Sequence, residues 1–239
     1  MAIQTRTVEY GQGENTYSGL LAWDDSVAGP RPGVLVAHTI RGRTAFEDNR
    51  ARQLAELGYA GFALDVYGAS NTGVSDEHSR AQMETLLADR GELQQRLLLS
   101  LATMQTQPEV DAACCAAIGF CFGGLSVIDL ARLDANVKGV ASFHGLLNAP
   151  GNIEVSNSKV KVLAMHGWDD PMAPPDAVLS FATEMSALDI DWQLHGYGNV
   201  QHAFTYPAAN DTSRGTVYDA ASDRRSWIAA QNFLAELFE

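Results

Sequence analysis

Apolar and polar residues alternate along this chain in two rhythms. Gly33-Val34-Leu35-Val36-Ala37-His38 is a continuous, β-branched apolar run between turn residues, the pattern of a strand buried on both faces. Similar runs recur at Tyr59–Asp65, Cys115–Ile118, Val137–His144, Lys159–His166 and Ile190–His195. Between them lie stretches of helical spacing. These are Phe46–Leu57, closed by Gly58; Ser79–Gln105, interrupted or bent near Gly91; Leu125–Leu133; Pro175–Leu188; and Ala220–Phe238. The last places Trp227, Ala230, Phe233, Leu234 and Leu237 inward. At the start, Thr5–Tyr10 and Tyr17–Trp23 flank the turn residues Gly11–Asn15 and read as an antiparallel pair. Val66–Ser79, rich in Gly, Ser and Asn, reads as loop. Strands alternating with helices predict an α/β fold, a mostly parallel doubly wound sheet flanked by helices, as one domain over residues 1–239. Such sheets bind ligands beyond the carboxyl ends of their strands. His38, Cys121, His144, Asp169 and Asp170 are therefore expected on one rim.

Composition narrows the class. With 239 residues, 46% of them hydrophobic, the chain can bury a large core, and its 8 Pro and 21 Gly are scattered rather than gathered into a linker. A formal charge of −13 argues against nucleic acid or an anionic membrane as partner and says little about a neutral small molecule. Met1–Arg6 lacks the basic start and apolar stretch of a signal peptide, and no apolar run approaches a membrane span. The three Cys are an odd number, and Cys114 and Cys115, as strand neighbours, point to opposite faces. A reducing cytoplasm is the expected location.

The chemistry centres on Gly119-Phe120-Cys121-Phe122-Gly123-Gly124, between an apolar run and a helix. Glycines two before and two after Cys121 match the nucleophile elbow G-x-S-x-G with Cys in place of Ser. The turn is tight enough to exclude side chains at its flanks. It strains the nucleophile and aims the first helix amides at what the nucleophile attacks. In folds of this kind the order is nucleophile, acid, histidine. Of the histidines after the elbow, His202 alone lies in a glycine-containing loop between the last strand and the final helix. It is the expected base, while His144 and His166 line the pocket or serve the core. The acid is expected in Gly167-Trp168-Asp169-Asp170-Pro171, where either Asp could serve. The oxyanion hole would take the Phe122 amide and a second amide near Thr39 or Ile40, with Ile40 the donor adopted.

Together these residues resemble the dienelactone hydrolases, cysteine members of the α/β-hydrolase superfamily. The elbow is similar to the family's Gly-[Tyr/Phe]-Cys-x-Gly-Gly. His166-Gly167-Trp168-Asp169-Asp170-Pro171-Met172-Ala173-Pro174 resembles its acid loop, in which the catalytic Asp stands four before a Pro, and His202-Ala203-Phe204 resembles its His-x-Phe. Leu54–Ala60 and Asp65–Gly68 fit its helix-strand-loop pattern. The resemblance implies a Cys121-Asp170-His202 triad acting through a thioester on small carboxylic esters or lactones, with no cofactor and no metal. It also marks two departures. Thr39 stands where the family's Glu assists thiolate formation. Thr205-Tyr206-Pro207 stands where dienelactone-cleaving members place an arginine for the substrate carboxylate. His38, Thr39, His144 and Tyr206 are the expected substrate contacts, and a monomer or small homo-oligomer the expected state. The alternative is a catalytically weak protein of the same fold that binds or senses a small ligand, suggested by Thr39.

Overall fold

The computed structural model describes residues 2–71, 75–153 and 158–239. The 1–239 span forms two compact units, Met1–Ala117 and Ile118–Glu239. Eight strands follow one another by hydrogen bonding in the order β1-β2-β4-β3-β5-β6-β7-β8, a mostly parallel sheet flanked by helices.

In the first unit, β1 (Ile3–Gln12) and β2 (Asn15–Asp24) form the expected hairpin, each longer than its apolar alternation. Their register runs from Ile3↔Asp24 to Gln12↔Asn15, and Gly13 turns the corner at φ +62°. β2 is antiparallel to β4 (Ala60–Ala63), which is parallel to β3 (Arg31–Ala37). Between β3 and β4 runs α1 (Ala45–Glu56). It starts one residue earlier than its apolar spacing suggests, because Thr44 and Glu47 form a reciprocal capping box. Its end is a Schellman closure: Gly58 takes φ +92°, the Gly58 N–H bonds Ala55 O, and the Tyr59 N–H bonds Leu54 O.

The helical stretch expected at Ser79–Gln105 is two helices, α2 (Asp76–Ala88) and α3 (Arg90–Gln105). The break falls at Asp89, whose carboxylate accepts from the Glu92 N–H and caps α3; Gly91 lies inside the new helix. In the loop read at Val66–Ser79, Ala69–Asn71 form one 3-10 turn, and residues 72–74 lie outside the described residues. β5 (Val110–Phe120) starts in this unit and extends well beyond the Cys115–Ile118 run.

The second unit takes over at Ile118. α4 (Phe122–Arg132) is buried along its whole length. β6 (Gly139–Phe143), β7 (Lys161–Gly167) and β8 (Trp192–Tyr197) are parallel, with α5 (Pro175–Ala187) between β7 and β8. β8 begins two residues later than Ile190, because the Ile190 N–H still bonds Met185 O to close α5. Two short strands not foreseen from sequence, β9 (Asn210–Asp211) and β10 (Thr216–Val217), form a small hairpin. α6 (Ala220–Phe238) closes the unit; Ala230, Phe233 and Leu234 are buried, while Trp227 and Leu237 are half-buried. Among the described residues no helix is long and apolar enough to cross a membrane.

Candidate active site

β5 ends at Phe120 and α4 begins at Phe122, leaving Cys121 alone in the turn at φ 56°, ψ −114°. A side chain there is strained, and the surroundings hold it: the Cys121 N–H donates to Phe143 O at 3.0 Å, and Cys121 O accepts from the Leu125 N–H at 3.2 Å. Gly119 is required, because a Cβ there would collide with the Gly123 carbonyl. A Cβ on Gly124 would meet Gly145 Cα at 2.7 Å. Cys121 is partly exposed, and the Phe122 amide is the first of a helix whose N-terminal dipole favours negative charge.

The acid loop leaves β7, and its two aspartates lie in different surroundings. Asp169 is exposed. Asp170 is 2% exposed, and its two oxygens divide their work. Oδ1 accepts from the Met172 N–H at 2.8 Å, and Oδ2 lies 2.7 Å from His202 Nδ1. A carboxylate can only accept, so Nδ1 carries the proton and Nε2 is the nitrogen left for chemistry.

His202 is buried and fixed through its backbone. Its N–H donates to Gly215 O at 2.8 Å, and its carbonyl accepts from the Val217 N–H at 2.9 Å. The β9–β10 hairpin thus grips both sides of the residue. Gly215 takes φ +68°, and a Cβ there would strike the Pro171 ring, so the acid loop and the histidine loop pack at a position only glycine fits. Burial alone pulls the His202 pKa down. The charge of Cys121, the Asp170 hydrogen bond and a hydrogen bond with Cys121 outweigh it and raise the value to about 10. Cys121, His202 and Asp170 therefore interact within one unit.

His144 follows β6 at φ 39° and is 1% exposed. Its Nε2 shares a hydrogen bond of 2.8 Å with Thr205 Oγ1, and its ring lies edge-on to His202 with centroids 5.1 Å apart. The structure thus gives His144 protein neighbours rather than an open face. His166 is also buried, and burial lowers its pKa against a backbone hydrogen bond at Ala173 and the nearby Asp170 charge. Tyr206 is half-buried.

The other sequence-derived residues belong to the first unit. His38 is satisfied by backbone: Nδ1 donates to Thr39 O at 2.7 Å, and Nε2 accepts from the Val66 N–H at 3.3 Å. The Thr39 amide, one of the two loop amides expected at an oxyanion, instead donates to Glu47 Oε1 at 3.0 Å. Glu47 went unnoticed from sequence. It is fully buried, and its Oε2 accepts from both the N–H and the hydroxyl of Thr44, at 2.8 and 2.7 Å. The Tyr67 hydroxyl donates to Ile40 O at 3.1 Å, and the Arg41 N–H donates to Thr39 Oγ1 at 3.3 Å. The Thr44-x-x-Glu47 spacing signalled a capping box, but nothing local signalled the bond to Thr39.

A mostly parallel, helix-flanked sheet with a Cys at its nucleophile elbow and an Asp–His pair after later strands defines an α/β-hydrolase. Within that class, the dienelactone hydrolase family matches residues 17–238, and the chain belongs to that family. It is 35% identical, with TM-score 0.93 and full coverage of both chains, to a structure from metagenomic libraries described as a dienelactone hydrolase-like promiscuous phosphotriesterase. It is 34% identical over 157 residues to an uncharacterized protein of Caenorhabditis elegans, spanning 64% of this chain and 99% of that one. A dienelactone hydrolase from Anabaena variabilis shares the fold at 19% identity and TM-score 0.70, covering 98% of each chain.

Proposed function

We propose that this member of a hydrolase family cleaves small carboxylic esters or lactones through a thioester on Cys121. The observation that carries this reading is the coupling of Cys121, His202 and Asp170, with a 2.7 Å Asp170–His202 bond and a His202 pKa raised to about 10. An imidazole that binds its proton this tightly beside a thiol holds the pair as thiolate and imidazolium. Ionisation of Cys121 then needs no carboxylate at position 39, where this chain has Thr.

In the first half-reaction the Cys121 sulfur attacks the acyl carbon. The Phe122 amide, first of the helix that follows the sulfur, receives the developing oxyanion. As the tetrahedral species collapses, the C–O bond to the alcohol breaks, and His202 Nε2 gives its proton to the departing oxygen. In the second, neutral His202 takes a proton from water, the hydroxide attacks the thioester, and the acid leaves as the thiolate re-forms. Asp170 keeps Nδ1 protonated and the ring oriented throughout. Tyr206 supplies no positive charge where dienelactone-cleaving members place arginine, which favours neutral acyl substrates over carboxylate-bearing lactones. The 35% identity to a promiscuous phosphotriesterase favours a second activity, attack of the same sulfur on a neutral phosphotriester.

The test is hydrolysis of p-nitrophenyl butyrate, a small neutral lactone and a p-nitrophenyl phosphotriester by wild type and Cys121→Ala. Turnover in wild type alone supports the reading. Equal rates in both proteins would sink it, and tight ligand binding without turnover would favour the binding alternative.

A further inference from the structure

The bond to Asp170 fixes one atom of the His202 ring, but a ring held at one atom can still swing about that bond. Nε2 must point at sulfur, so something has to fix the plane. Around His202 stand Asp170, Cys121, His166 and His144. Asp170 and Cys121 lie along the proton path, and the hydrogen bond of His166 goes to the Ala173 backbone rather than to the loop that carries His202.

His144 is different. It packs across the His202 ring at 5.1 Å and 68°, and it packs against Phe204 at 5.1 Å and 79°. Its backbone N–H is tied to Met165 O at 2.8 Å. Its Nε2 is tied to Thr205, a fully buried residue on the loop that carries His202. The His144–Thr205 bond therefore staples that loop to the end of β6 while the His144 ring blocks rotation of the base.

We propose that His144, locked by Thr205, is a positioning residue that holds the His202 ring plane so that Nε2 faces Cys121. This rests on the proposed triad and assigns a new role beside it: His144 touches no substrate and acts through His202. A strained backbone at φ 39° on a non-glycine residue is consistent with a side chain whose placement is demanding.

The experiment compares wild type with Thr205→Val, which keeps shape and loses the hydroxyl, Thr205→Ser, which keeps the hydroxyl, and His144→Phe, which keeps a ring and loses the bond. Two quantities are measured on each: iodoacetamide alkylation of the Cys121 peptide by mass spectrometry from pH 5 to 10, and kcat and KM for p-nitrophenyl butyrate. Alkylation needs no substrate site, so it separates this inference from the ester reading. The expected result is a roughly tenfold loss in kcat with little change in KM for Thr205→Val and His144→Phe, as for a reacting group displaced by a fraction of an ångström. In both variants the alkylation profile moves to higher pH, while Thr205→Ser follows wild type. An unchanged alkylation profile in folded Thr205→Val and His144→Phe would overturn the proposal, even where their melting temperatures fall. A shifted profile in a protein that turns over no ester would retain the positioning role and reject the substrate.

Discussion

Cys115 and Cys121 lie on one strand and the turn that follows it, and their surroundings prepare them for opposite chemistry. Cys115 is 1% exposed, and burial pushes its thiol pKa up to about 11 against a weak hydrogen bond from Gln105. Its sulfur donates to Asp111 O and behaves as a small core hydrophobe. Cys121 stands in a strained turn at a helix N-terminus and shares charge with His202. The histidines repeat the contrast. Burial lowers His166, yet His202, buried as deeply, is raised because Cys121 and Asp170 supply partners for its charge. Burial sets the default, and the partner decides whether a buried group is inert or reactive.

The largest test of that contrast removes each thiol in turn. Cys121→Ala should lower ester hydrolysis on the order of 10⁵-fold, as loss of a nucleophile does elsewhere. Cys115→Ala should leave kcat/KM within about twofold and register only as a modest loss of stability from a small core cavity. Comparable losses in the two would mean that Cys121 has no special standing. Asp170→Asn comes next. An amide in that place can offer its NH₂ to Nδ1, which favours the wrong tautomer and turns the lone pair away from sulfur. A fall of roughly 10²–10⁴-fold in kcat is expected, with KM little changed. A larger effect from Asp169→Asn, the exposed neighbour, would reverse the assignment of the acid.

Why the proposed triad residues could be named from sequence, and the contacts around them could not, has a physical reason. The elbow glycines and the His in a glycine-containing loop are local patterns, because each shapes its own turn, whereas Asp170 was preferred to Asp169 only through the resemblance to the family's acid loop. The parallel strands were legible as continuous apolar runs for the same reason. The capture of Thr39 by Glu47 and the grip of Gly215 on His202 depend on how a loop folds back on itself, the packing of His144 across His202 joins distant segments, and apolar spacing carries no trace of any of them. Boundaries also shifted where a side chain outvoted periodicity. Asp89 caps a new helix two residues before the interruption or bend read near Gly91, and the closing hydrogen bonds of α5 delayed β8.

Glu47→Gln gives a smaller effect and a sharper division. The carboxylate accepts from Thr39, from the Thr44 amide and from the Thr44 hydroxyl, whereas glutamine offers only one accepting oxygen. The loop from Thr39 to Thr44 should loosen, and the melting temperature should fall by several degrees, as leaving a buried polar group without its partner costs about 1–3 kcal/mol. Alkylation of Cys121 by iodoacetamide should proceed as in wild type. An unchanged melting temperature would mean that the amide satisfies the same groups and the carboxylate has no separate part.

The smallest effect is a titration shift, and it addresses the contrast most directly. In wild type the His202 ring should lose its proton near pH 10, while His166 titrates below the usual histidine value of about 6.5. Because the folded value of His202 lies above the unfolded one, its proton stabilises the folded chain fully below about pH 6.5, and that contribution is lost as the pH rises through about 10. Cys121 is the largest influence raising the value, ahead of the Asp170 hydrogen bond. Cys121→Ala should therefore move the His202 midpoint down, toward what burial and Asp170 alone permit, and leave that of His166 nearly in place. NMR titration of the two ring signals reads both shifts in one sample. A His202 midpoint equal in wild type and Cys121→Ala would mean that the sulfur carries no charge at rest, and the thiolate would then have to form only when substrate arrives.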